Sequence, residues 1–114
     1  MSSTGPAPTV PSPVLLSRPL FSMGRLLATP GAIRTLAQYR VSGLALLSRH
    51  VRGDWGALRA EDRKTNAIAL EWGLRVMSAY KLRREEGGQT VHAMVWVITE
   101  ADRSSTTLLL PEEY

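Results

Sequence analysis

The longest β-favouring run in the chain, Val91 to Thr99, is apolar on both of its faces, and this restricts the folds open to it. Side chains alternate across a strand, so Val95, Val97 and Thr99 share one side while Met94, Trp96 and Ile98 share the other. A strand with one solvated face would alternate apolar with polar. Val91 to Thr99 therefore reads as a central strand covered on both sides. A polar knot, Glu100 to Ser105, separates it from a second apolar run, Thr106 to Leu110, and Pro111 ends that run because proline cannot donate to a β-ladder. The pattern is a hairpin, with Glu112 to Tyr114 leaving the sheet.

The elements before it are mostly helical. Thr29 followed by Pro30 is an N-cap and first-turn pair, which opens a short helix over Gly31 to Tyr39 with Ile33, Leu36 and Ala37 inward. Ser42 caps a second helix, Gly43 to Val51, with Leu44, Leu47 and Val51 on its apolar side. The third helix, Ala60 to Trp72, carries Glu61 and Asp62 in its first turn, stops at Gly73, and turns Ile68 and Trp72 to the core with Ala60, Ala67 and Leu70 nearby. Leu20 to Ala28 is a short strand or extended arm, and Arg75 to Leu82 a strand. Arg83 to Thr90 is predicted as a solvated loop turning at Gly87-Gly88. The expected fold class is α+β: two to three short N-terminal helices packed on a three-stranded antiparallel meander. Residues 1–18 are rich in Pro and Ser and form a tail expected to be disordered, followed by a single domain at 19–114.

Composition narrows the functions. The chain has 114 residues, no cysteine and two histidines, which excludes disulfides, thiolate catalysis and cysteine-based zinc sites and argues for a cytoplasmic protein without metal or cofactor. No apolar run reaches the length of a membrane span, so no membrane partner is expected. The net charge of +4 is unevenly placed. Arg25, Arg34, Arg40, Arg49 and Arg52 lie early against Asp54, whereas Glu100, Asp102, Glu112 and Glu113 crowd the end against Arg103.

Two constellations have residue types suited to chemistry. Glu100, Asp102, Arg103, Ser104, Ser105, Thr106 and Thr107 gather at one end of the hairpin, where two carboxylates could hold a divalent cation or divide acid and base roles. His50 near Asp54 is a second acid–base pairing, and Gly53-Asp54-Trp55-Gly56 a tight turn with one large aromatic. Each has a structural counterpart: Asp102 closing its own turn, His50 answering the negative end of a helix, Trp55, Trp72 and Trp96 filling core positions instead of stacking on bases. Phosphate-loop, dinucleotide-binding, zinc-protease and serine-hydrolase signatures are absent.

The segments His50-Val51-x-Gly53-Asp54-Trp55-Gly56, Glu61-Asp62 with Asn66, Gly73-x-Arg75, Ser78-x-Tyr80 and Trp96-Val-Ile-Thr-Glu-Ala-Asp-Arg-Ser-x-Thr-Thr-x-Leu-Leu-Pro-x-x-Tyr114 resemble a family of small bacterial proteins carried on plasmids, integrated elements and phages. The resemblance covers residues 19 to 114. Members are called plasmid-related, and some are labelled type I restriction modification, although this chain has neither a methyltransferase's cofactor-binding glycines nor its Asn/Asp-Pro-Pro-Tyr/Phe motif. It implies a mobile-element setting without an established activity, and its motifs contain Asp54, Arg75, Glu100, Asp102, Arg103 and Thr107.

The functional expectation is a non-enzymatic interaction protein of a mobile element that binds a nucleic-acid-handling complex, as an anti-defence inhibitor or a restriction or plasmid accessory factor. Its expected binding residues are Asp54, Trp55, Arg75, Glu100, Asp102, Arg103 and Thr107, and a homodimer would cover one side of the apolar strand. The alternatives are a small metal-dependent hydrolase or nuclease using His50, Asp54, Glu100 and Asp102, and a DNA binder using Arg34, Arg40, Arg49 and Arg52.

Overall fold

The computed structural model describes residues 18–114, so the tail expected to be disordered lies outside the described residues except for Arg18. In chain order the elements are β1 (Arg25–Ala28), α1 (Pro30–Tyr39), α2 (Gly43–Val51), α3 (Ala60–Trp72), β2 (Val76–Glu86), β3 (Gln89–Thr99), β4 (Ser105–Leu109) and a 3-10 turn at Pro111–Glu113.

Local chemistry sets the helix ends. The Thr29 hydroxyl accepts the Ala32 amide at 3.0 Å with Pro30 in the first turn, and the Ser42 hydroxyl accepts the Ala45 amide at 3.4 Å. α1 ends with Arg40 in the left-handed region, where the Arg40 and Val41 amides reach back to Ala37 and Leu36 carbonyls.

The fold is α+β, but the sheet is not a three-stranded meander. Four strands lie in the order β1-β4-β3-β2, with β2–β3 and β3–β4 antiparallel and β1 parallel to β4. The arm at Leu20 to Ala28 supplies the extra strand, pairing Arg25 with Ser105 through to Ala28 with Leu108. Its partner lies at the other end of the chain, so no turn signal announces it. Arg83 to Thr90 also differs from the expected loop. The ladder continues to Glu86 opposite Gln89, leaving only Gly87-Gly88 as the turn. The charged residues there belong to a ribbon with solvated side chains, in which Thr90 bonds Glu85 at 2.8 Å and Arg84 lies over the Tyr39 ring.

α1 and α2 cover one face of the sheet. Ala32, Leu36, Leu46 and Leu47 pack on Tyr80, Leu82, Val95, Val97 and Leu108. A second cluster joins Trp55, Ala69 and Val76, with Phe21, Leu58 and Leu70 at its margin. The two edges of the sheet are treated differently. Along β2, the Asn66 side chain accepts the Met77 amide at 3.2 Å and donates to the Met77 carbonyl at 2.6 Å, while the Trp55 carbonyl and Ala57 amide pair with Ala79. Those bonds satisfy backbone groups that an edge strand otherwise presents to solvent. β1, the other edge, is exposed along its whole length.

The Asn66 clip also orients α3. With Asn66 and Ala69 inward, Ile68 and Trp72 face out, 54% and 73% exposed, contrary to the inward placement expected for both. Ile33, Ala37 and Leu44 likewise point to solvent, and Ala32 and Leu46 take the buried positions.

Gly56 and Gly73 both have positive φ, but a Cβ on Gly56 would run into the Ala79 carbonyl whereas one on Gly73 meets nothing within 4 Å. Gly73→Ala should therefore cost about 1–2 kcal/mol, the intrinsic cost of left-handed backbone, and Gly56→Ala roughly 3 kcal/mol or more, because the β2 edge must also shift. Urea denaturation of the two variants measures the difference; equal losses would contradict the close approach at Gly56.

Candidate functional site around His50 and the β3–β4 tip

His50, in the last turn of α2, has no solvent-exposed surface. Its Nδ1 lies 2.5 Å from the Ser78 hydroxyl on β2, and its Nε2 lies 2.9 Å from the Thr99 hydroxyl on β3. Thr99 Oγ1 is 2.6 Å from Thr106 Oγ1 on β4, which donates at 2.8 Å to the Met23 carbonyl in the lead into β1. The terminal carbonyl sets the direction of this chain, because a carbonyl can only accept. Thr106 spends its proton on Met23, so it accepts from Thr99, and Thr99 then accepts from His50 Nε2–H. Nδ1 is left with a lone pair for the Ser78 hydroxyl. The imidazole is thus a neutral Nε2–H tautomer that ties α2 to three strands and to the approach of the fourth.

Its surroundings keep it neutral. Phe21 and Trp55 meet the imidazole edge to face at centroid distances of 5.2 and 5.9 Å. Burial, with a smaller contribution from the Arg103 charge, pushes the His50 pKa down to about 4.

The Trp55 bend is built on polar clamps. The Asp54 carboxylate accepts Arg49 Nε at 2.6 Å and Nη2 at 3.3 Å, together with the Gly56 amide at 3.2 Å. The Arg49 hydrogen bond holds Asp54 below the usual carboxylate range. Tyr80 donates to the Asp54 carbonyl at 2.7 Å, and burial pushes its phenol up to about 12. Trp55 is buried and fills the core beneath the bend.

The β3–β4 tip is built in a similar way. Asp102 Oδ1 accepts the Ser104 amide at 2.9 Å, closing its own turn. Arg103 has left-handed backbone, and its guanidinium donates to the carbonyls of Leu74 at 2.7 Å, Glu100 at 3.0 Å, Ala101 at 3.2 Å and Ala69 at 3.4 Å. It therefore caps the C-terminal end of α3, where carbonyls lack helical partners, while its flat face lies over Phe21. Arg75 Nη1 donates to the Tyr114 hydroxyl at 2.8 Å, and Nη2 pairs with Glu100 at 3.2 Å. Thr107 shares the outer sheet face with its cross-strand neighbour Ile98.

The expected site residues therefore separate. Asp54 and Trp55 belong to the bend, Arg75, Glu100, Asp102 and Arg103 to the tip, and Thr107 to the outer face. Bend and tip are connected through Phe21 and His50 in the interior, so the surface expected to be shared between them is replaced by a buried core. His50, Asp54, Glu100 and Asp102 do not converge. Asp54 is held by Arg49, Glu100 by Arg75 and Asp102 by its turn, and His50 is enclosed; among the described residues no group of three or more His, Cys, Asp or Glu is placed to hold a metal ion. The arginines of the proposed DNA surface are distributed over two helices: Arg49 is paired with Asp54, Arg52 bonded to Ser48, and Arg40 forms the C-cap of α1, while Arg34 acts on Glu113. Among the described residues no helix is long and apolar enough to cross a membrane.

Ser78 and Thr99 were missing from the expected site. The signal for their partner was present, since Leu46, Leu47, His50 and Val51 follow the spacing of one buried helix face. Set against known proteins, the chain matches no family model, and no curated protein or solved structure matches it significantly.

His50 titrates lower in the folded chain than in the unfolded one, so the unfolded state binds more protons between about pH 4 and 6.5 and stability falls as pH drops through that window. From pH 7.5 to 5, above most carboxylate titration, the group should remove about 2 kcal/mol. Urea unfolding at both pH values should show that loss for the natural chain and a much flatter response for His50→Gln.

Proposed function

We propose that this chain is a non-enzymatic interaction protein that docks on a partner protein belonging to a nucleic-acid-handling complex of a mobile element. Trp72 carries the reading. Its indole, 73% exposed at the end of α3, lies one helical turn from Ile68 at 54% and two residues before Leu74 at 50%, and exposed large apolar groups close together in the chain are candidates for a docking surface. Commitment of the candidate catalytic groups to internal hydrogen bonds supports the same reading. The mobile-element setting, with its anti-defence or accessory role, and a cytoplasmic location are part of the proposal, supported by the resemblance of its motifs to those of the plasmid-related family and by the absence of cysteine.

A homodimer would use the other open surface. At the β1 edge, Leu26 and Leu27 lie beside Leu44 around a shallow cleft of about 320 Å³. Edge strands recruit further strands through unpaired backbone groups. Light scattering should then show two copies in the natural chain and one in Leu26→Lys.

Affinity capture from the host, with and without nuclease, tests the docking reading. Protein partners should survive nuclease treatment and be lost by tenfold or more with Trp72→Ala, since such anchors contribute about 2 kcal/mol or more. Retention by Trp72→Ala would contradict it.

A further inference from the structure

The sheet face opposite α1 and α2 is only partly covered, and its residues follow from the register. Val95 and Val97 point into the helical core, so Trp96, Met94 and His92 point the other way on β3. Opposite them on β2 stand Ala79, Lys81 and Arg83. This makes a row of cross-strand pairs in steps of roughly 6–7 Å, running from an indole to two cations. Lys81 and Arg83 are exposed, and among the described residues neither makes an ion pair or a side-chain hydrogen bond. Arg49 and Arg52, by contrast, are drawn into local contacts with Asp54 and Ser48.

At the indole end the face opens into a cleft of about 310 Å³ between α3 and the sheet. Leu58, Met77 and Trp96 form apolar walls, and Asp62, Thr65 and Arg75 bring polar groups to it. The Tyr114 ring braces Trp96 edge to face at 5.6 Å, and the Tyr114 hydroxyl and Glu100 fix the Arg75 guanidinium. The cleft thus offers an aromatic wall, a pre-positioned cation and a carboxylate, Asp62, with no hydrogen bond or ion pair among the described residues, able to accept an N–H from the edge of a base. The acidic groups nearby are few. Glu85 lies past Arg83 and is bonded by Thr90, and Glu100 is neutralised by Arg75.

We propose that this face binds single-stranded nucleic acid, with one base seated in the cleft beside Trp96 and the adjoining phosphates on Lys81 and Arg83. Stacking on an aromatic group requires an unpaired base, which favours a single strand over duplex. The unpaired cations next to the cleft match a phosphate backbone. This surface is separate from the apolar end of α3 and does not depend on the docking proposal.

Fluorescence anisotropy of the full chain with labelled oligothymidylate and oligouridylate, beside a duplex of equal length, tests it. At low salt, saturable single-strand binding is expected, at least tenfold tighter than to duplex and weakening as salt is raised. Lys81→Glu/Arg83→Glu, at exposed positions, should weaken it by tenfold or more, and so should Trp96→Leu, while Arg34→Glu/Arg40→Glu stays within about twofold. Absence of saturable binding to both oligonucleotides, equal affinity for duplex, or equal losses in the two charge variants would overturn the proposal. Protein capture retained by Lys81→Glu/Arg83→Glu keeps the outcome distinct from that of the docking reading.

Discussion

The fold depends on one enclosed imidazole. Strand pairing holds β1 to β4 and β2 to β3, and helix packing holds α1 and α2 to one face, but the chain Ser78–His50–Thr99–Thr106–Met23 crosses all of these layers. Its protons point one way because it ends at a carbonyl. Each member satisfies another in a place where an unsatisfied polar group costs about 1–3 kcal/mol, so the chain specifies the mutual register of its elements more than it adds net stability. An apolar residue at position 50 would fill space but deprive Ser78 of its acceptor and Thr99 of its donor, leaving Thr99 only its bond to Thr106.

That interior also explains why the polar residues of the bend and the tip serve as clamps. Phe21, His50 and Trp55 must be sealed from water at both ends. Asp54 and Arg49 fasten one end over the Tyr80 ring, and Arg103 fastens the other by joining the tip to the end of α3. Asp54, Arg49, Asp102 and Arg103 are thereby accounted for as architecture, and the surfaces left open are the end of α3, the outer face of the sheet and the β1 edge.

Much of this was readable from the residues wherever the cause was local. Thr29-Pro30, Ser42 and Gly73 mark helix ends by short-range hydrogen bonding and backbone preference, and the structure has ends there. Pro111 stops β4 for an equally local reason. Helix facing was less legible. Ile68 and Trp72 look like core residues one turn apart, but the pairing of Asn66 with Met77 turns α3 so that they face out. A polar side chain fixing a sheet edge outweighs an apolar spacing when the apolar stripe is weak. The parallel pairing of β1 with β4 joins opposite ends of the chain and leaves no local signature. The separation of the candidate site residues was illegible for a related reason: carboxylates, histidine and hydroxyls look the same in sequence whether they line a pocket or satisfy one another inside a core.

The central claim is that His50 is an enclosed, neutral Nε2–H imidazole joining three strands. Two-dimensional ¹⁵N–¹H spectroscopy of histidine-labelled protein at about pH 6, below the ordinary histidine pKa, tests it most directly. The account predicts one ring with a protonated Nε2 and an unprotonated Nδ1, its exchange with solvent slow, beside a second, solvent-exposed ring from His92. A charged ring for His50, or a proton on Nδ1, would contradict it.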